Sequence, residues 1–305
     1  MITHSIQDII NVLKKGDIAG IPTETVYGLG ANGLDEKAVQ KIFTVKGRPN
    51  KNPLILHTHS FEEVSKLAKV IPPLAKKLAD HYWPGPLTIL FDKSNLVSDL
   101  ITAGSPKVAI RIPKHPMFLE ILKSVDFPIA APSANPYQSI SPTTAQQVDD
   151  YFKEKVPFVL DGGQCDCGLE STIVGVEEDT IIIYRLGGIT IESLKKFHPK
   201  VALYKKENTK VVTSGMDLKH YAPKTKLLVV DNIEQYKNLH PHTKIGVLSF
   251  KETDNKSIAK EFYHRLYQLD QQNFDLIITT KFKNIGIGKA LNDKLQRASY
   301  TEGQS

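Results

Sequence analysis

Residues 107–113 read KVAIRIP, an apolar run with a single arginine, Arg111, near its centre. Val108, Ala109, Ile110 and Ile112 show no polar alternation, so a strand here has no solvent face. LTILFD at 87–92 and FPIAAPS at 127–133 behave the same way. Strands of this kind sit in a mixed sheet or one covered on both faces. A charge placed among them needs a partner, because burying it alone costs about several kcal/mol. A structural ion pair and a bound carboxylate would satisfy Arg111 equally well. Arg185 repeats the pattern at the strand end of IIIYRLGG, residues 181–188.

Working outward, helical periodicity and stop signals predict helices over 5–15, 35–46, 61–70, 72–83 and 143–152. Asp35 is the expected N-cap of the second helix, and Gly16 and Gly47 are expected stops. Apolar segments at 18–22, 53–57, 158–163, 171–179 and 180–187 complete the strands. Strands and helices mixed in this way predict one large α/β domain over residues 1–200. Residues 201–226 are polar, basic and weakly periodic, and read as a linker. Apolar strands at 227–231, 244–250 and 274–280, separated by helices, predict a small parallel, Rossmann-like unit over 227–305. No G-x-G-x-x-G follows its first strand, which argues against a dinucleotide.

The 305 residues are 41% hydrophobic and 24% charged, as in a soluble globular protein. No apolar run reaches the ~18 residues of a membrane helix. The opening MITHSIQDIINVLKKGD lacks the basic, apolar and small-residue regions of a secretory signal, so a cytoplasmic location without membrane contact is expected. Cys165 and Cys167 stand alone, without a second Cys/His pair at metal-ligand spacing, and are expected to be reduced thiols. Net charge is +6, with 22 Lys and Arg against 22 Asp and Glu in 1–200, and 17 against 11 in 201–305. That excess is either a solvated face or a footprint for a polyanion such as RNA.

Candidate chemistry concentrates in a few loops. In IPTETVYGLGANG (21–33), Thr23, Thr25 and Tyr27 share one face if the strand continues, for ligand contact or for a satisfied turn. In VKGRPNKNPLILH (45–57), Lys46 and Arg48 flank a glycine and could aim two cations at one anion, or, with Lys51, form a solvated basic loop. His57 ends an apolar strand, where a histidine is packed or catalytic. APSANPYQSISPTT (131–144) gathers hydroxyls and Asn135 between prolines, yet no G-x-S-x-G elbow or evident base makes a nucleophile of any serine. His57, His115 and His220 would have to approach in space. Many hydroxyls, amides and arginines suit the positioning of anions better than covalent catalysis.

Taken in order, IPTETVYGLGANG, KGRPNKNPLILH, WPGPLTILF, VAIRIPKHP, PIAAPSANPYQSISPTTAQQV, DGGQCDCGLESTIV, RLGGI and HYAPKTKLLVV resemble the YrdC-like family of threonylcarbamoyl-AMP synthases. The likeness is to its two-domain form, with a Rossmann-like C-terminal domain, and it covers essentially the whole chain. It implies a twisted mixed-sheet α/β domain with a concave basic cavity. The implied reaction joins L-threonine, bicarbonate and ATP, with Mg2+ accompanying the triphosphate, into threonylcarbamoyl-adenylate and pyrophosphate. Other proteins then pass the group to the adenosine beside the anticodon of tRNAs, so a downstream transferase complex and tRNA or double-stranded RNA are implied partners. By the same resemblance, threonine would meet Thr25, His57, Arg111, Ser133 and Ser171. ATP would meet Lys46, Arg48, Asn52, Ser133, Asn135, Ser141, Thr143, Arg185 and Tyr221, with Lys107 a further candidate. Lys46 and Arg48 would be the catalytic pair, no residue would hold a metal, and 201–222 would act as a lid. The chain departs from the family pattern at Cys165 and Cys167, and its C-terminal domain is short. The alternatives are an RNA-binding module without its own adenylation chemistry, and a carbamoyl-phosphate-processing enzyme of hydrogenase maturation. The latter's Cys-rich and acylphosphatase-like segments are missing from this sequence.

Overall fold

The computed structural model describes residues 1–205, 220–251 and 254–300. Most of the proposed lid, 206–219, therefore lies outside the described residues.

One twelve-stranded mixed sheet organises the first unit. Across it run Ile2–Thr3, Phe158–Leu160, Ala19–Ile21, Gly28–Asn32, Ile129–Ala130, Ile55–His57, Lys107–Arg111, Leu87–Lys93, Thr172–Glu177, Thr180–Arg185 and Val201–Leu203. Ala68–Val70 pairs with Leu87–Lys93 off this path. The Lys107–Arg111 strand is interior, parallel to Ile55–His57 and antiparallel to Leu87–Lys93, with Arg111 opposite His57. Val108 to Arg111 are all buried, as the lack of alternation requires.

Local signals act where expected. Asp35 caps the Glu36–Lys46 helix by accepting from the amides of Lys37 and Ala38, and Gly47 ends it at φ 62°. Lys46, in the last turn of the helix, and Arg48, just past Gly47, are both buried. Thr144 and Gln147 form a reciprocal capping box at the start of Ala145–Phe152.

Several expectations are corrected. Residues 68–70 are not the end of a helix but a strand, because Ala68 turns extended and pairs with Lys93. The segment at 127–133 contributes only Ile129–Ala130 to the ladder, since Pro128 and Pro132 carry no N–H. Residues 22–27 do not continue a strand. Thr23 Oγ1 accepts from the Thr25 and Val26 amides (3.0 and 3.2 Å), and this hydroxyl turn bends the chain. The supposed start of the linker, Val201–Leu203, is an edge strand parallel to Thr180–Arg185. Helices Pro116–Lys123 and Ile191–Phe197 were not foreseen.

The second unit has a three-stranded parallel sheet of Lys226–Val229, Leu276–Thr279 and Ile245–Val247, with the last strand in sequence at the centre. Helices Asn255–Asp270 and Gly288–Ala298 pack on it. Its apolar core does not stop at the unit's border. Val26, Ile140, Leu169 and Tyr221 belong to the same buried cluster as Leu227, Phe262, Tyr263 and Leu295.

Candidate active site

A cleft opens where the 22–27 turn, the ends of Ile55–His57 and Lys107–Arg111, the 131–144 loop and the 170–171 segment meet. Thr25, His57, Arg111, Ser133, Ser171, Arg185 and Tyr221 line it, as do Thr23 and Tyr27. Glu170 and His220 also line it, and neither was assigned a role from sequence.

Arg111 forms one end of the cleft. Its Nε donates to the Gly85 carbonyl (3.1 Å), Nη1 donates to Thr25 Oγ1 (2.9 Å), and Nη2 pairs with Glu24 Oε1 (2.7 Å). Of the two readings left open for Arg111, the structure shows the ion pair, and the guanidinium also lines the cleft. Glu24 was missed. Its other oxygen accepts from the Lys114 amide (3.1 Å), which holds the guanidinium against the cleft wall. Ser171 shares a hydroxyl contact with Thr88 (2.7 Å) and accepts from Arg185 Nη2 (3.0 Å).

His57 is buried beside Arg111, and burial together with that charge pushes its imidazole down to about 3. The neutral ring donates from Nδ1 to the Ile129 carbonyl (3.3 Å), leaving Nε2 as an acceptor. This has a consequence for stability. The folded state refuses a proton that the unfolded state takes near pH 6.5, so stability present above that pH is lost as pH falls towards 3. At pH 5 the loss from His57 alone is about 2 kcal/mol. Urea unfolding at pH 7 and pH 5 should show this slope, and His57→Gln should flatten it; an unchanged slope would contradict the assignment.

Lys46, Arg48, Asn52, Asn135, Ser141 and Thr143 do not line this cleft; they lie in the buried network in and behind the 131–144 loop. Lys46 Nζ donates to the backbone carbonyls of Ser133 and Asn135, tying the helix end to the 131–144 loop. Arg48 donates to the carbonyls of Asn52 and Pro53 (3.3 and 3.0 Å), and Asn52 Nδ2 donates to Tyr137 Oη (2.9 Å). Asn135 Nδ2 donates to Pro136 and Ser139 carbonyls (2.9 and 2.8 Å). Ser141 Oγ donates to Glu170 Oε1 (2.7 Å), and the Thr143 amide donates to Gln147 Oε1 (2.7 Å). Thr143 is thus fastened to the capping box behind the loop. Burial, then the charges of Arg48, Lys46, Lys294 and Arg185, hold the His220 imidazole well below its ordinary range. Burial and the Arg48 charge likewise lower the Lys46 ammonium.

Polar atoms remain unpaired here. His220 Nδ1, the Tyr221 hydroxyl and Asn135 Oδ1 are buried without a hydrogen-bond partner, which native proteins seldom tolerate away from a ligand site. Tyr221 also carries φ 65°, and Gln138 carries φ 68°; the Ala222 amide donates to the Gln138 carbonyl (2.8 Å), so the two strained positions lock together.

Not every expected residue arrives. Lys107 lies at the opposite end of its strand from Arg111, paired with Asp92 (2.8 Å) and half exposed, so the structure does not bring it to the cleft. Lys51 is exposed. His115 sits outside the cleft lining, against the Gly162 carbonyl (3.3 Å). Cys165 and Cys167 are free thiols; burial raises both, Cys167 to about 11, which leaves little thiolate for chemistry. Among the described residues no group of three or more His, Cys, Asp or Glu could hold a metal ion, and no helix is long and apolar enough to cross a membrane.

Comparison with known proteins covers nearly the whole chain. Residues 11–187 match the Sua5–YciO–YrdC family, described as Telomere recombination. Residues 189–299 match the family described as Threonylcarbamoyl-AMP synthase, C-terminal domain. The chain is 37% identical to the threonylcarbamoyl-AMP synthase of Pyrococcus abyssi, over 94% of this chain and 92% of that protein. With the Bacillus subtilis threonylcarbamoyl-AMP synthase it shares 33% identity, over 94% and 91%. The crystal structure of P. abyssi Sua5 complexed with L-threonine matches with a TM-score of 0.91 at 35% identity, over 96% of this chain and 94% of that one. Escherichia coli YciO, at 21% identity and a TM-score of 0.53 over 60% of this chain and 88% of its own, shares the fold alone.

Proposed function

The chain belongs to the Sua5–YciO–YrdC family in its two-domain threonylcarbamoyl-AMP synthase form, and from that premise we propose how its cleft makes threonylcarbamoyl-adenylate. The observation that carries the proposal is one cavity with two chemically different ends. One presents the Arg111 guanidinium beside Thr25 and His57; the other presents Arg185, His220, Tyr221 and Ser133, whose carbonyl Lys46 holds from behind.

L-Threonine would set its carboxylate on Arg111, whose planar fork suits two oxygens. Its amine and hydroxyl would meet His57 Nε2 and the hydroxyls of Thr25, Ser133 and Ser171. ATP would lie along Lys46, Arg48, Asn52, Ser133, Asn135, Ser141, Thr143 and Arg185, with Tyr221 closing over it. Ser133, whose carbonyl is held by Lys46, would bridge the two substrates. The unprotonated threonine amine adds to carbon dioxide with release of a proton to solvent, or condenses with bicarbonate with release of water, to give a carbamate. A carbamate oxygen then forms a bond to the α-phosphorus while the bond from that phosphorus to pyrophosphate breaks. Lys46 and Arg48 stabilise the charge gathering on the leaving pyrophosphate. Glu170 is the carboxylate lining the cleft, and its oxygens already accept from Ser141 and Tyr263 (2.7 and 3.0 Å). With both Glu170 oxygens engaged, magnesium would arrive carried on the triphosphate and supply charge neutralisation there. The adenylate product would pass to a separate transferase acting on tRNA.

A simple RNA-binding module is disfavoured by burial. Lys46, Arg48, Arg111 and Arg185 are 3, 6, 3 and 7% exposed, out of reach of a polyanion on the surface. The test is pyrophosphate release from ATP, magnesium and bicarbonate with and without L-threonine. Release should require threonine; release independent of it would overturn the assignment.

A further inference from the structure

The second unit reaches the cleft with its own side chains. Tyr263, on the Asn255–Asp270 helix, donates its hydroxyl to Glu170 Oε2 (3.0 Å), and Glu170 Oε1 accepts from Ser141 (2.7 Å). Lys294, on the Gly288–Ala298 helix, is wholly buried, pairs with Asp293 (3.2 Å), donates to the Leu186 carbonyl (3.0 Å) and places Nζ 5.1 Å from the Tyr221 ring centre. The His220 amide donates to the Arg297 carbonyl of the same helix (3.2 Å). The rings of Tyr221 and Tyr263 lie 5.7 Å apart within the shared apolar cluster.

The close approach depends on Gly168, two residues before Glu170. Its φ is +68°, and a Cβ there would fall 2.4 Å from the Ala259 carbonyl oxygen and 2.5 Å from Lys260 Cα. The helix therefore rests directly on the loop that carries Glu170.

We infer that Tyr263 and Lys294 are positioning residues for the nucleotide, fixing Glu170 with Ser141 on one side and His220–Tyr221 on the other, so that docking of the second unit and ATP binding favour each other. The inference rests on the nucleotide site proposed above. Coupling of this kind is reciprocal: if docking shapes the ATP site, ATP must tighten docking by the same factor. None of these contacts falls directly on the threonine set of Thr25, His57, Arg111, Ser133 and Ser171; the nearest, Tyr263 to Glu170, is one residue from Ser171.

The test uses the full chain and its Tyr263→Phe variant, which removes one hydroxyl and no packing. ATP and threonine affinities are measured separately by calorimetry, together with hydrogen exchange over 255–270 with and without ATP. In the wild type, ATP should slow exchange in that helix. In Tyr263→Phe, ATP should bind about fivefold to tenfold more weakly with threonine affinity held within about twofold, and ATP-dependent protection should shrink. Lys294→Met should act in the same direction. A merely structural defect would weaken both ligands alike and leave the ATP-dependent difference intact, and that result overturns the inference. So does unchanged ATP affinity in a folded Tyr263→Phe. Failure of the wild type to bind ATP would overturn this inference and the proposed nucleotide site together. ATP binding without threonine-dependent pyrophosphate release would count against the proposed function alone.

Discussion

Arg111→Ala should raise the KM for threonine by about 100-fold or more while the dissociation constant for ATP moves less than about threefold. The size follows from removing a charge-assisted, two-pronged contact in a water-poor site. Thr25 and His57 beside Arg111 are neutral at pH 7, and Arg185, the other guanidinium lining the cleft, is engaged by the hydroxyl and carbonyl of Ser171. The substitution also strips Glu24 of its ion pair, and a carboxylate left alone in the interior destabilises by about 3–5 kcal/mol. Arg111→Ala/Glu24→Gln removes that second effect and should recover stability without recovering threonine use. Thermal unfolding and separate titrations of the two substrates read the result. Equal losses for threonine and ATP would show that Arg111 only braces the fold.

How much of this was legible in the sequence depends on distance along the chain. Asp35 and Gly47 act within one helix, and a capping signal is local, so both could be read directly. Largely apolar runs without alternation at 87–92 and 107–113 announced interior strands for a similar reason: burial on both faces leaves few polar positions. Arg111 drew attention because a charge in such a run must be answered. Its answer, Glu24, lies 87 residues away in sequence, and nothing local in PTETVY separates a buried acid from an exposed one. Ala68–Val70 failed for the opposite reason. Its residues suit a helix, and only the neighbouring Leu87–Lys93 strand makes them extended. Lys107 looked like an ATP ligand by its place in a motif, but strand direction carries it away from Arg111. One clue to the second unit's part was available. Lys294 falls in line with Ala290, Leu291, Leu295 and Ala298 on the buried face of its helix, where a lysine is out of place unless it serves something. What it serves required the tertiary structure.

The remaining large effect belongs to Lys46. Lys46→Met should lower kcat/KM for ATP by about 100- to 1,000-fold, the range for removing a preorganised charge from a developing anion. Two things are lost together. The cation proposed to sit beside the polyphosphate disappears, and the carbonyls of Ser133 and Asn135 lose the donor that gathers the loop. Lys46→Arg separates them, because it restores charge without the compact ammonium that fits between two carbonyls. Protonation offers an independent check. Burial and Arg48 lower the Lys46 ammonium below 10.5, so the active cation is lost as pH rises through that depressed value. The profile of kcat/KM, which reports the free enzyme, should therefore fall on its alkaline side below pH 10.5. Lys46→Arg should be slower at neutral pH yet lose this limb, since a guanidinium does not titrate there. A Lys46→Met enzyme within tenfold of the wild type, or an alkaline limb unchanged in Lys46→Arg, would move the leaving-group role to Arg48 alone.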